Sequence, residues 1–390
     1  MRLALFHNLP SGGAKRATFE WVRELSKSHE IDLYIFDSES EATWDLRPLV
    51  NKIFILNKPN KRTLRTKNKI LNLLPVLYKS KGLANKIDAE KYNLVLVMQC
   101  KITNSPFLLR FLKTPSFFIC HEPMARILEP HYPKKNLFIL FDLIRNIGLK
   151  FFIRIDKKNA VSATSIGTTS LYSKERLYLC YGLYPKVIYP GVDTIFFKPL
   201  KNILCNKSIL CVGALFPSKG YEFVIEAVSK IDESERPNLR IIHGAHSYST
   251  EYKIKLNKLA KRNKVKVIFV SLINDNSLLK EYNSALLTIC ANHLEPLGLV
   301  ALESMACGTP VVGINEAGLR ETIINGDNGI LTDRDPVEFS EAIMLLIQNK
   351  KICNQMSKFG IKYVSEKWNW KVSTGNLNQH LTMLAKNNIS

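Results

Sequence analysis

The sequence lacks the patterns that mark disulfide-rich, zinc-binding and membrane-spanning chains. Its 390 residues include eight cysteines but no Cys-x-x-Cys pair, and several cysteines lie in apolar runs such as SILCVG. We therefore expect buried, reduced thiols rather than disulfides or a zinc site. The longest apolar stretch, Leu137–Phe152, is broken by Asp142, Arg145 and Lys150, so we do not expect it to span a bilayer. Polar residues follow MRLALF at once, which predicts a cytoplasmic protein without a secretory signal.

Acidic residues are also scarce in part of the chain. No aspartate or glutamate occurs from Leu46 through Ile87, and the segment Lys58–Lys69 within it, KPNKRTLRTKNK, has six positive residues in twelve. Such a segment attracts anionic lipid, phosphate-bearing substrates or nucleic acid. It contains no aromatic residue for stacking on bases, so nucleic acid is not expected as a partner. We predict contact with an anionic membrane surface; a solvated basic face is the other interpretation.

Two signatures of phosphate and metal chemistry are missing. No G-x-x-x-x-G-K-[ST] segment occurs, which argues against a P-loop. Asp333-Arg-Asp335 imitates a metal-binding Asp-x-Asp pair, but Asp335, Pro336 and Glu338 suit the N-cap, first and third positions of a helix. We therefore predict a helix that begins there, and no metal site.

Alternating strand and helix patterns predict two α/β domains, as the length also suggests. Segments such as RLALFHNL and KYNLVLVMQC in the first half, and SILCVGAL, ALLTICA and TPVVGI in the second, predict buried parallel strands. The Pro- and Gly-containing segment Val187–Leu200 interrupts the pattern. We predict doubly wound Rossmann-like domains at residues 1–195 and 196–371 that face each other across a cleft. A last helix, about residues 372–390, is able to pack back on the first domain.

Three loops follow predicted strands at positions where α/β sheets bind ligands. They are Ser11–Ala14, Phe216–Gly220 and Asn292–Leu299. Ligands of such sheets bind outside the carboxyl ends of the strands. The three loops therefore predict a ligand site in the cleft between the domains.

The stretch HLEPLGLVALESMACGTPVV carries the most specific chemistry. Glu295 and Glu303 stand eight residues apart, with Gly298 at the predicted start of a helix between them. Free N–H groups at a helix start suit a phosphate, and glycine allows the backbone to approach it closely. The two carboxylates can accept hydrogen bonds from hydroxyls on either side, so a nucleoside diphosphate sugar fits. The alternative makes Glu295 a helix-start acid favoured by the dipole and Glu303 a surface residue.

The same residues resemble a known family. EPLGLVALESMACGTPVV is similar to the Glu-x7-Glu segment of the retaining glycosyltransferases of family 4, which have the GT-B fold. LPSGGAKRA resembles the glycine loop of that family, CHEP (Cys120–Pro123) its histidine-bearing loop, and YPGVDTIFFKP its inter-domain segment. VGALFPSKG and NEAGLRETIINGDNGIL resemble its donor-domain loops. The resemblance therefore extends over nearly the full length.

The resemblance implies roles for five residues of the second domain. Glu295 would contact hydroxyls of the transferred sugar, and Glu303 would bind the ribose of the nucleotide. Backbone groups of Gly298 and Leu299 would hold the distal phosphate. Lys219 would pair with the diphosphate as a compact point charge.

In the first domain, which would bind the acceptor, the resemblance implies two sites. Gly12 and Gly13 would let this domain close on the donor phosphate. His121 would lie beside the reacting sugar; its other interpretation is a structural histidine at a strand end.

The implied reaction is hexose transfer from a nucleoside diphosphate sugar with retention of the anomeric configuration, without a metal or cofactor. GDP-mannose is the first donor to consider and UDP-hexoses follow closely. The acceptor would be a glycan or a lipid-linked molecule of cell-surface polysaccharide or glycolipid synthesis, and Lys58–Lys69 would hold the enzyme at the inner face of the plasma membrane.

One position departs from the family pattern. Members commonly have an arginine directly after the glycine of the Val-Gly motif, where this chain has Ala214. Arg16 or Arg320 is a candidate to replace the missing charge. The departure leaves an alternative open: a GT-B protein without transferase activity that serves as a partner subunit. A phosphorylase or a sugar-nucleotide epimerase also stays open.

Overall fold

The computed structural model describes residues 1–36, 38–56, 73–124, 139–244, 250–272 and 274–387. The basic segment Lys58–Lys69 lies outside these ranges, so its contact with a membrane stays a prediction. None of the helices in the described ranges combines the length and the apolarity that crossing a bilayer requires.

The described chain divides into two compact units. The second unit runs from Val192 to Asn369, and the first contains the described residues before Val192 together with those from Trp370 onwards. The predicted boundary at residues 195 and 196 is therefore too late. The reason is a backbone bond: the N–H of Val192 donates to the carbonyl oxygen of Trp368 at 2.6 Å, which ties Val192 to the second unit.

The first unit has a parallel sheet in the order β3-β2-β1-β4-β5-β6-β7. Its strands are β1 (Arg2–Asn8), β2 (Glu30–Ile35), β3 (Lys52–Ile55), β4 (Leu94–Cys100), β5 (Ser116–Ile119), β6 (Ser165–Thr168) and β7 (Lys186–Val187). Its helices before the crossing to the second unit are α1 (Gly13–Leu25), α2 (Leu73–Ala89), α3 (Ile139–Val161) and α4 (Leu171–Tyr181).

The second unit repeats this architecture with the order β10-β9-β8-β11-β12-β13, again all parallel. Its strands are β8 (Ser208–Val212), β9 (Asn238–Gly244), β10 (Val267–Leu272), β11 (Leu287–Cys290), β12 (Val311–Ile314) and β13 (Gly329–Thr332). Its helices are α5 (Tyr221–Ser229), α6 (Thr250–Arg262), α7 (Asp275–Ser284), α8 (Leu299–Ala306), α9 (Leu319–Thr322), α10 (Pro336–Gln348) and α11 (Lys350–Lys367).

Each sheet has a point at which the strand order reverses. β1 lies between β2 and β4 in the first sheet, and β8 lies between β9 and β11 in the second. Connections leave such neighbouring strands toward opposite faces, which opens a crevice at their carboxyl ends where ligands of doubly wound sheets bind. The two Rossmann-like sheets confirm the predicted α/β fold class.

The last helix, α12 (Trp370–Asn387), packs on α1 within the first unit. The rings of Trp21 and Trp370 meet edge to face with centroids 6.1 Å apart, and the indole N–H of Trp21 donates to the hydroxyl of Ser373 at 2.8 Å. Leu377 and Leu381 of α12 are fully buried in the same core. This helix begins at Trp370 rather than at about residue 372.

Two local predictions can be compared directly with the structure. The predicted helix start at Asp335 is confirmed, because the Asp335 carboxylate accepts from the N–H groups of Val337 and Glu338 at 2.8 and 3.0 Å, with Pro336 as the first helical residue. The prediction of buried thiols holds for five of the eight cysteines, while Cys205 is exposed.

Candidate functional site

Two neighbouring loops of the second unit form the centre of the candidate site. One loop leaves β8 and contains the short 3-10 turn Pro217–Lys219, and the other leaves β11 and leads to Gly298. The N–H of His293 donates to the carbonyl oxygen of Ser218 at 2.8 Å, which joins the two loops. β8 and β11 are adjacent strands at the reversal point of the sheet, so this is where a ligand is expected.

Gly220 permits the close approach of these loops. Its φ of +71° is left-handed, and a Cβ at this position would stand well inside van der Waals distance of the Ala291 carbonyl oxygen. That carbonyl cannot retreat freely, because it accepts a hydrogen bond from the guanidinium of Arg334 at 3.1 Å. The loop contact therefore requires glycine for two reasons, conformation and space.

We expect Gly220→Ala to destabilise the protein more than Gly326→Ala does. Gly326 has a comparable φ of +90° but no atom within 4 Å of its added Cβ, so it reports the conformational cost alone, about 1–2 kcal/mol. Overpacking against Ala291 should add roughly 1–2 kcal/mol at Gly220. Urea unfolding of both variants measures the difference, and equal losses would show that the loops are not in contact.

Lys219 and Glu295 form an ion pair across the two loops. Lys219 Nζ lies 3.3 Å from Glu295 Oε2, and the side chains are 29% and 21% exposed, so both remain within reach of a ligand. The side-chain amide of Asn292 donates to the same carboxylate oxygen. The structure thus brings together two residues that the sequence placed 76 positions apart.

Gly298 begins helix α8 as predicted. It is the N-cap with a left-handed φ of +94°, and a Cβ would lie 2.6 Å from the Leu319 side chain. The N-cap residue is a glycine, which has no side chain of its own to cap the first N–H groups of α8, the helix that begins at Leu299. Uncapped N–H groups and the positive end of the helix dipole favour an anion at this position.

Glu303 is buried in α8, with 6% of its surface exposed. The hydroxyl of Tyr282 on α7 donates to its Oε2 at 2.8 Å. The alternative interpretation of Glu303 as a surface residue is therefore wrong. Glu303 lies further along the helix than Leu299, so the carboxylate and the helix start can serve two ends of one ligand.

Arg334, which sequence reasoning did not single out, supports the loop that carries Glu295. Its guanidinium donates to the carbonyl oxygens of Ala291 and Asn292 at 3.1 and 3.2 Å, and to both oxygens of Glu316 at 2.8 and 2.9 Å. Burial alone would raise the pKa of Glu316, but the bonds from Arg334 outweigh it and lower that pKa. Arg334 follows β13, so the strand-end rule that identified the other loops could have found it.

The residues proposed to replace the missing arginine at Ala214 lie in different parts of the chain. Arg320 is an exposed residue of α9 whose Nε lies 3.4 Å from the Ala317 carbonyl oxygen. Arg16 belongs to α1 in the first unit. The compensation of Ala214 therefore stays a prediction.

In the first unit, the structure places Gly12, Gly13 and His121 at the carboxyl side of the sheet. Gly12 is the N-cap of α1 and Gly13 its first residue, both are exposed, and His121 follows β5. The imidazole of His121 stacks on Trp21 of α1, with ring centroids 6.4 Å apart. The helix that begins at Gly13 thus also contacts His121.

A polar network fixes the backbone around His121. The side-chain amides of Gln99 and Asn104 donate to the Glu122 carbonyl oxygen at 2.8 and 3.0 Å. The buried carboxylate of Asp156 accepts from the hydroxyl of Tyr181, and that hydroxyl accepts from the Met124 N–H at 3.0 Å. These bonds hold the backbone of Glu122 and of Met124, which follow His121 in the chain.

Burial lowers the pKa of His121 from its ordinary 6.5 to about 4, so the imidazole is neutral at neutral pH. The unfolded chain binds the proton more tightly, so this group reduces stability as the pH falls from 6.5 toward 4. We expect an NMR titration of the His121 ring to have its midpoint near pH 4. A midpoint near 6.5 would contradict the burial of the ring.

Beneath the glycine loop lies a buried cluster of three titratable side chains. Lys15 Nζ lies 2.6 Å and His7 Nε2 lies 2.8 Å from Glu41 Oε1, and all three side chains are fully buried. The Leu9 N–H donates to His7 Nδ1 at 3.4 Å, and His7 Nε2 also lies 3.1 Å from Lys15 Nζ, so the three side chains contact one another. The N–H of Leu46 donates to the other Glu41 oxygen at 2.7 Å. This cluster fixes the first turn of α1 to the end of β1.

Comparisons with known proteins agree with this architecture. Residues 194–363 match the family model described as glycosyl transferases group 1. A D-inositol 3-phosphate glycosyltransferase of Acidothermus cellulolyticus is 33% identical over 216 residues, which are 50% of this chain and 48% of the relative. The chain thus spans about half the length of this curated relative.

Two solved structures share the fold over almost the whole chain. Sucrose-phosphate synthase from Thermosynechococcus elongatus superposes with a TM-score of 0.75 at 18% identity and covers 98% of both chains. Anabaena HepE in complex with UDP-glucose also has a TM-score of 0.75, at 17% identity, and the match covers 98% of this chain and all of HepE. Residues 194–363 are thus similar to the group 1 glycosyl transferases, and the two units of the chain have the GT-B fold of these solved structures.

Proposed function

We propose that the chain is a retaining glycosyltransferase of family 4 that transfers a hexose from a nucleoside diphosphate sugar. One observation carries the proposal. At the reversal point of the second sheet, the loop after β8 carries an accessible cation, Lys219, and the segment after β11 carries a helix start at Gly298 and a buried carboxylate, Glu303. These groups suit a diphosphate with a polyol at one end. Glu295, which pairs with Lys219, would accept hydrogen bonds from the hydroxyls of the sugar at the other end.

In the proposed reaction, negative charge builds on the leaving diphosphate as the bond to the sugar breaks. Lys219 and the N–H groups at the start of α8 would stabilise that charge electrostatically. The leaving phosphate would assist the incoming acceptor hydroxyl on the same face of the sugar, so that the anomeric configuration is retained. No metal or cofactor has a role in this scheme.

For the donor, GDP-mannose and UDP-hexoses are the candidates. The complex of HepE with UDP-glucose supports UDP-glucose as an early choice. We propose a glycan or lipid-linked acceptor of cell-surface polysaccharide or glycolipid synthesis, bound by the first unit. The enzyme would act in the cytoplasm as a peripheral protein on an anionic membrane, held by Lys58–Lys69.

A reaction assay tests the proposal. The protein is incubated with each nucleotide sugar and a membrane lipid extract, and free nucleoside diphosphate and the anomer of the product are measured. We expect diphosphate release that depends on the extract and a product with the donor's configuration. Donor binding without release would favour the inactive partner subunit suggested by Ala214. Conversion of the sugar without an acceptor alcohol, to an epimer of the donor or, with inorganic phosphate, to a sugar phosphate, would favour an epimerase or a phosphorylase.

A further inference from the structure

The carboxylate of Glu303 depends on a second side chain that has no assigned role. Glu303 is 6% exposed and Tyr282 is fully buried, and the tyrosine hydroxyl donates to Glu303 Oε2 at 2.8 Å. A carboxylate withdrawn from water needs hydrogen-bond donors to stay charged. Tyr282 provides one donor and at the same time fixes one oxygen in space.

Tyr282 is itself held in place from two sides. Its ring meets Phe197 edge to face with centroids 5.9 Å apart. Its backbone carbonyl oxygen accepts from the hydroxyl of Thr309 at 2.7 Å. Burial and the neighbouring Glu303 carboxylate raise the pKa of Tyr282 well above its ordinary value, so the hydroxyl keeps its proton and acts as a donor. The orientation of Glu303 is therefore set before a ligand arrives.

We propose that Tyr282 is a positioning residue that makes the site select a ribonucleotide over a nucleotide without ribose hydroxyls. The inference rests on the proposed function, in which Glu303 accepts hydrogen bonds from the ribose. A Glu303 carboxylate fixed by Tyr282 would be directed at the 2′- and 3′-hydroxyls, and a nucleotide must have these hydroxyls to donate hydrogen bonds to it. A 2′,3′-dideoxyribose leaves the buried carboxylate without those donors. Binding sites reject an analogue most strongly when it leaves a buried polar group unpaired.

The test compares dissociation constants for GDP and UDP with those for their 2′,3′-dideoxy analogues, by isothermal titration calorimetry. We expect the unaltered protein to prefer the ribonucleotide of its own base. In Tyr282→Phe, affinity for that ribonucleotide should fall roughly tenfold, which corresponds to about 1.4 kcal/mol. Affinity for the dideoxy analogue should stay unchanged, so that the preference shrinks. A purely structural role would lower the unfolding temperature without altering this ratio.

Tyr252→Phe is the matched control. Tyr252 on α6 is also buried and also donates its hydroxyl to a carboxylate, that of Glu222 on α5. Its loss should leave the preference for the ribonucleotide intact. Should Tyr282→Phe fail to fold, Thr309→Val removes the hydroxyl that holds the Tyr282 carbonyl and should reduce the preference in the same way.

The outcomes separate this inference from the proposed function. If the unaltered protein binds a ribonucleotide and Tyr282→Phe keeps the full preference, or if no preference exists at all, the role of Tyr282 is overturned while the nucleotide site stands. If neither GDP nor UDP binds to the unaltered protein, the proposed donor site fails, and the inference fails with it.

Discussion

Replacing Lys15 with methionine is expected to lower the free energy of unfolding by about 3–5 kcal/mol, the usual loss when one partner of a buried ion pair is removed. Lys15 Nζ and Glu41 Oε1 are 2.6 Å apart, and neither side chain has exposed surface. Burial lowers the pKa of Lys15, so its charge is maintained against a desolvation cost that Glu41 offsets. Without the ammonium group, the Glu41 carboxylate stays buried with donors from His7, the Ser40 hydroxyl and the Leu46 N–H.

An exposed ion pair at the end of the same helix provides the control. Lys27 lies 2.7 Å from Glu24, but the lysine side chain is 66% exposed, so Lys27→Met should change stability by no more than about 0.5 kcal/mol. The double variant Lys15→Met/Glu41→Leu should be more stable than Lys15→Met alone, because it removes the stranded charge. Chemical denaturation measures all three. Equal losses for Lys15→Met and Lys27→Met would contradict the buried cluster.

The stability that Glu41 contributes depends on pH. Burial would raise the pKa of Glu41, but the bonds from His7 and Lys15 outweigh it and lower that pKa below its ordinary 4.5. A carboxylate with a lowered folded-state pKa contributes stability that is present above pH 4.5 and is lost as the pH falls through the folded-state value.

The second large effect is expected at Lys219, in catalysis. We expect Lys219→Ala to reduce the rate of transfer by about 10²–10³-fold, the usual loss when one fixed electrostatic stabiliser of a transition state is removed. Lys219 projects from the loop after β8 and pairs with Glu295 at 3.3 Å, beside the start of α8. In the sequence of this loop, Gly213–Gly220, position 214 is an alanine and Lys219 is the single lysine or arginine, so no other cation of the loop can replace Lys219.

Lys230→Ala is the matched control for this prediction. Lys230 is an exposed lysine at the end of α5, outside the strand-end loops of the second unit. Steady-state rates with the donor that the reaction assay identifies should be unaltered in Lys230→Ala and partly retained in Lys219→Arg. A loss below about tenfold in Lys219→Ala would exclude the lysine from stabilising the leaving diphosphate.

The sequence was sufficient for the features that depend on local pattern. Apolar runs predicted the strands, and the glycine and aspartate at positions 298 and 335 predicted where α8 and α10 begin. The rule that ligands bind at the carboxyl ends of strands led to the loops Phe216–Gly220 and Asn292–Leu299, and the resemblance then pointed to Lys219 and Glu295 in them. The structure brings these two residues into contact because β8 and β11 are adjacent. These predictions needed no knowledge of which side chains meet across the sheet.

The remaining features depend on contacts that local pattern does not encode. Tyr282 reaches Glu303 only through the packing of α7 on α8. Arg334 meets Glu316 because β12 and β13 are neighbours. Lys15 belongs to a residue type that is rarely buried, and its burial follows from the placement of Glu41 beside the end of β1. Each case is a polar side chain whose partner lies on another element.

The most direct test of the central claim is donor binding by the second unit. Thermal unfolding of the full chain is followed with GDP-mannose, UDP-glucose, UDP-GlcNAc and related donors, for the unaltered protein, for Glu303→Ala and for Glu341→Ala, an exposed glutamate of α10. A bound ligand at 100 times its dissociation constant stabilises the folded state by about 2.7 kcal/mol. We predict that one donor raises the unfolding temperature of the unaltered protein and of Glu341→Ala, but not that of Glu303→Ala. An equal shift in Glu303→Ala, or no shift with any donor, would contradict a nucleotide-sugar site at Glu303.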